Sequence, residues 1–160
     1  MNSNVVALVL AALSLPFLDG CNGGSGACAY KGKGGFCFTP PAGVTPTEST
    51  DKVIFTTSPK AAVHPAQDVV VETRHVALDA DTLKNEKSYA KMGSVSVLEE
   101  SPLADGKGFF IVQQSKSNIF AFADVPGAGN TYFHCSYEIY IKDKAALKQQ
   151  LQACKSLRAQ

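Results

Sequence analysis

Residues 131–158, reading TYFHCSYEIYIKDKAALKQQLQACKSLR, constrain the fold more than any other stretch of the chain. Strict alternation puts Phe133, Cys135, Tyr137, Ile139 and Ile141 on one face of a strand, and Tyr132, His134, Ser136, Glu138 and Tyr140 on the other. The first face is apolar enough to be core. Asp143 is placed to cap a helix that follows, in which Leu147, Leu151 and Cys154 recur at helical spacing as an apolar stripe. Such a stripe must lie on a sheet, and laying it there carries Cys154 toward Cys135. The expectation is a strand stapled to a helix by a Cys135–Cys154 disulfide.

The remaining elements are shorter. With 160 residues and 45% hydrophobic content, the chain suits one domain with a real core rather than two. Residues 35–38 (GFCF) read as a short strand, with Phe36 and Phe38 on one face and Cys37 on the other, stopped by Pro40 and Pro41. Residues 52–57 and the Val-rich 68–78 are the next strands, separated by a loop containing Pro59, His64 and Pro65. Asp81 is expected to cap a polar helix running to Lys91, with Leu83 and Tyr89 inward and Gly93 ending it. Residues 94–99 form a strand, 108–114 and 118–125 a hairpin across 115–117, and 126–130 (PGAGN) the turn into the last strand.

At the front, residues 5–18 are an uncharged apolar run too short to span a bilayer, as in the core of a signal peptide. Leu18-Asp19-Gly20-Cys21 then resembles the lipobox of bacterial lipoproteins, which implies a leader over residues 1–20 and lipidation of Cys21. Cysteine arithmetic agrees. Five cysteines in an exported chain leave one odd, and assigning Cys21 to an acyl group leaves two pairs, Cys28 with Cys37 and Cys135 with Cys154. Residues 21–34, rich in Gly and Ser, read as a tether and 35–158 as a single domain. The spacings show no zinc motif.

From residue 35 to 158 the chain resembles the PsbP-like and DcrB-like group, which includes the mycobacterial LpqN-type lipoproteins. The resemblance is carried by Gly35-Phe36-Cys37-Phe38 before Pro40, by the strand meander, and by the closing Ala153-Cys154-Lys155-Ser156-Leu157-Arg158. It implies an α+β fold, an antiparallel sheet between helices (an α/β/α sandwich), and an accessory or protein-binding role rather than catalysis.

The net charge of +1 with scattered lysines leaves no nucleic-acid footprint. There is no Gly-x-Ser-x-Gly, no His-Glu-x-x-His, and no signature for a cofactor or resident metal. The alternating polar face Tyr132, His134, Ser136, Glu138, Tyr140 has the composition of a contact surface, unless the mid-chain helix covers it. The expectation is a lipid-anchored envelope protein, most simply on the outer membrane facing the periplasm, that holds or shields a protein partner. The alternative is a small periplasmic hydrolase or metal protein using His75 and His134.

Overall fold

The computed structural model describes residues 28–56, 68–104, 106–140 and 144–160. The apolar leader, Cys21, His64 and Asp143 lie outside the described residues, as do the side chains of Tyr140 and Leu147. The described chain forms one α+β domain. Its main sheet has seven strands: β3 (Thr45–Glu48), β4 (Lys52–Thr56), β5 (Val69–Arg74), β6 (Ser96–Pro102), β7 (Phe109–Gln114), β8 (Asn118–Pro126) and β9 (Tyr132–Tyr140). They lie in the spatial order β3-β4-β5-β9-β8-β7-β6, and every neighbouring pair is antiparallel. Strand β9 is therefore central, hydrogen-bonded to β5 on one side and β8 on the other.

Because partners in register share a face, the alternation in β9 propagates across the sheet. Cys135 faces with Val71 and Ala123, and Phe133 with Val125. That face, with Val53, Phe55, Val69, Phe110 and Val112, is the main core. Helix α2 (Lys144–Lys155) lies on it, presenting Ala153 and Cys154, and Cys154 is bonded to Cys135 across a Cα separation of 5.7 Å. The opposite face is partly covered by helix α1 (Ala80–Ala90), where Ala90 and Leu83 pack on Phe109 and Ile111. Consecutive residues of β7 thus serve opposite layers, Phe109 and Ile111 one, Phe110 and Val112 the other. This is the α/β/α arrangement expected from the sequence.

A second, three-stranded sheet joins β1 (Tyr30–Gly32), β2 (Phe36–Phe38) and β10 (Arg158–Ala159) in the order β1-β2-β10. The chain's end thereby closes on the start of its domain. Gln160 donates its amide to Gly35 O at 2.8 Å, and the Ser156 hydroxyl accepts from the Thr39 amide at 2.8 Å. Phe36 and Phe38 drop from β2 onto Phe133 and Phe55, with ring centroids 5.3 and 4.8 Å apart. Cys37 bonds Cys28 from the other face of β2, as expected.

Five expectations need correction. The tether was expected to run to residue 34, but Tyr30–Gly32 is a strand whose Tyr30 ring meets Phe55 edge-on at 5.0 Å and whose hydroxyl hydrogen-bonds Glu48. A Gly-rich composition concealed an aromatic anchor. The strand expected over 68–78 stops at Arg74, and the one expected over 94–99 is shifted to Ser96–Pro102 with a bulge between Val97 and Glu99. Finally, α1 is capped by Asp79 rather than Asp81: the Asp79 carboxylate accepts from the Thr82 amide at 2.8 Å, while Asp81 sits in the first turn. Leu83, Glu86 and Ala90, spaced three and four residues apart, share the sheet-facing side, and Tyr89, expected inward, is 68% exposed. Gly93 does follow the helix in the left-handed conformation, at φ 92°.

The cap makes a pH-dependent prediction. Hydrogen bonds from the Thr82 amide hold the Asp79 carboxyl below its ordinary value. A depressed carboxyl contributes stability that is present above the ordinary carboxylate range and is lost as pH falls through the depressed value. Asp79→Ala is expected to lower the melting temperature by roughly 2 to 5 °C at neutral pH. The difference from the parent should shrink in strong acid; melting curves across pH check both statements.

Candidate functional site

The face of the sheet opposite α2 carries the residues singled out from the sequence, and α1 divides it in two. Under α1 lies a polar nest. Asp124 and His134 are register partners on β8 and β9, and His134 Nδ1 sits 2.7 Å from Asp124 Oδ1. Asp124 is only 1% exposed and His134's side chain 13%. The Phe122 ring lies against the imidazole, with centroids 5.8 Å apart. From above, α1 lowers Glu86 onto this pair, and Tyr132, 3% exposed, donates its hydroxyl to Glu86 Oε1 at 2.8 Å. A carboxylate in the middle of a helix's sheet-facing side is thus satisfied by a tyrosine at the end of the central strand.

The electrostatics follow from burial. Loss of water pushes the Asp124 carboxyl above its ordinary value, opposed by the hydrogen bond and charge of His134 and reinforced by the charge of Glu86. Tyr132's hydroxyl is pushed up for the same primary reason, with Glu86 adding to it. Asp124 Oδ2 has no hydrogen-bond partner among the described residues. Gly108 lets the strands approach here, since a Cβ at that position would stand 2.3 Å from the Asp124 carbonyl oxygen. Beside the nest, Glu72 is the register partner of His134, and it is paired to Arg74 Nη2 at 2.5 Å and to Lys52 Nζ at 3.4 Å.

Beyond α1 the same face is open among the described residues. Ile54, Val70, Phe120 and Phe122 are half-buried around a trough of about 400 Å³ that Ser136 and Glu138 also line. Lys52 and Asp68 stand at its rim, and Glu138 is hydrogen-bonded by the Asn118 side-chain amide. The five-residue face read from β9 is therefore split. Tyr132 and His134 are taken up by the nest, while Ser136 and Glu138 belong to the open trough. Sequence reading missed the trough's apolar half, Ile54, Val70, Phe120 and Phe122, because the four come from three different strands and only register brings them together.

The two strand histidines do not form one site. His75 lies just past β5 in the open, its Nε2 2.8 Å from Asp51 Oδ1, whereas His134 is held by Asp124. Glu86, Asp124 and His134 do converge: each offers a ligand atom, and the three atoms lie within 4.8 Å of one another. No helix among the described residues is long and apolar enough to cross a membrane.

No protein-family profile matches the chain, and no curated protein matches it in sequence. Among solved structures it is similar to the Ran-binding protein Mog1p of Saccharomyces cerevisiae, with a TM-score of 0.48 and 8% identity, covering 79% of this chain and 90% of that one. Nothing about this chain's own partner follows from that likeness.

Proposed function

We propose that this chain is an exported, lipid-anchored binding protein of the bacterial cell envelope, most simply on the outer membrane facing the periplasm. Its task is to hold or shield a protein partner, without catalysis. The observation that carries the reading is the open half of the sheet face, where Ile54, Val70, Phe120 and Phe122 form an apolar floor rimmed by Lys52, Asp68 and Glu138. An apolar centre with a charged rim is how protein contact surfaces are built. The backing of that floor is rigid, because the strands beneath it are locked from the other side by α2 and the Cys135–Cys154 bond. Two disulfides agree with an oxidising compartment. The resemblance of residues 35–158 to the PsbP-like and DcrB-like group supports binding as the role, and Leu18-Asp19-Gly20-Cys21 supports the anchor.

The hydrolase reading is weaker. Each histidine has its own acid and lies at a different depth, and no nucleophile stands within the described hydrogen bonds of either.

Fractionation tests the anchor and the surface together. Cys21→Ser is expected to move the protein from the membrane to the soluble fraction, and Phe120→Glu to leave it on the membrane but free of the proteins that co-purify with the parent. Sedimentation of the Cys21→Ser variant with membranes would refute the anchor, and unchanged co-purification with Phe120→Glu would refute the surface.

A further inference from the structure

We infer that Glu86, Asp124 and His134 form a binding site for a divalent first-row transition ion such as Zn(II), which would clamp α1 to strands β8 and β9. The inference does not depend on the proposed partner surface. The donor set is one imidazole and two carboxylates, a combination that suits Zn(II) and its neighbours rather than soft, thiolate-seeking ions. Their ligand atoms lie within 4.8 Å of one another, against about 3.4 Å between donors around a tetrahedral ion with bonds of about 2.1 Å. Side-chain adjustment within the group, to which Glu86 on its half-buried helix position can contribute, would close that difference.

A second observation points the same way. Asp124 is 1% exposed, and its Oδ2 is buried with no hydrogen-bond partner among the described residues. Buried carboxylate oxygens are ordinarily paired or bound to metal. The surrounding contacts orient the donors without using them up. Tyr132 donates to Glu86 Oε1, but a carboxylate has acceptor sites to spare. Phe122 packs beside the His134 ring, and the ion would take the place of the proton that His134 Nδ1 and Asp124 Oδ1 share at 2.7 Å. Arg74, whose charge reaches Asp124, is itself ion-paired to Glu72.

The test is metal titration of the full chain, stripped with chelator and kept oxidised. Zn(II) is followed by calorimetry, and Co(II) by its visible ligand-field absorption. The expected result is saturable uptake of a single equivalent, a higher melting temperature in its presence, and added hydrogen-exchange protection in α1. Glu86→Gln and His134→Gln should each weaken uptake at least tenfold, as losing a ligand costs no less than losing a supporting contact. Should His134→Gln fail to fold, Glu86→Gln decides alone, since it lies on the half-buried helix and keeps an acceptor for Tyr132. Absence of saturable uptake overturns the inference. So does uptake at parent affinity in either folded variant, which would place the ion elsewhere, for instance on the exposed His75 and Asp51.

Discussion

Replacing Cys154 by Ala is expected to lower the unfolding free energy by about 3 kcal/mol, because the bond closes a loop of about 20 residues whose opening returns conformational freedom to the unfolded chain. The two cysteines are 19 residues apart and both are fully buried. Against a typical net stability of roughly 5 to 15 kcal/mol, that is a large share. The loss should not be uniform. Strands β8 and β9 are each hydrogen-bonded on both sides, whereas α2 is held by the bond and by a short apolar stripe that ends in Ala153, Cys154 and Leu157. Hydrogen exchange in Cys154→Ala should therefore show α2 losing protection ahead of β8 and β9. Equal loss in both would mean that helix and sheet open as one unit. The Cys28–Cys37 bond closes a shorter loop at the sheet's margin, with a separation of 9 residues, so Cys28→Ser should cost less than Cys154→Ala.

Phe55→Ala is expected to cost about 3 to 5 kcal/mol, the range for deleting a fully buried aromatic ring. Phe55 is 0% exposed and is the point where the two sheets meet, with Tyr30 of β1 against its edge and Phe38 of β2 at 4.8 Å. Removing it takes the floor from under both. Beyond the global loss, the variant should become more sensitive to limited proteolysis at residues 28–34, because apart from the Cys28–Cys37 bond β1 is held by three residues paired to β2 and by Tyr30 and Lys33 on Glu48. Chemical denaturation measures the first effect. If the variant loses stability but residues 28–34 resist protease as in the parent, β1 is anchored by something other than this ring cluster.

How much of this was legible beforehand depended on whether a residue's role is set along the chain or across it. The strand at residues 132–140 announces itself because period-two alternation is a local signal, and the Cys135–Cys154 pairing follows from two local faces. The terminal strands β1 and β10, of three and two residues, carry no periodicity to detect; they exist because Phe36, Phe38 and Leu157 must be buried and the backbone beside them then pairs. The cap of α1 was misplaced because Asp79 and Asp81 are chemically equal candidates, and the one that caps is the one whose carboxylate reaches the Thr82 amide. The nest was illegible because its members meet only through tertiary packing. Glu86 looks like a solvent-facing helix residue, and Asp124 sits in a run that reads NIFAFADV, where nothing signals a buried acid. Positions 86, 124 and 134 have no ligand spacing in sequence and converge only through the β8–β9 register and the seat of α1.

The central claim, that the open half of the sheet is a binding surface, is tested most directly by placing a photo-reactive side chain at single positions in the living cell. Position 122 lies at the trough, and position 98, on edge strand β6, is exposed, with Leu98 54% accessible, but lies outside the residues lining the trough. The account predicts a discrete covalent adduct from position 122 on irradiation, absent from position 98, and reduced when Ile54 is also changed to Glu on the neighbouring floor. Adducts of equal yield from both positions, or none from position 122 with the protein folded and on the membrane, would contradict it.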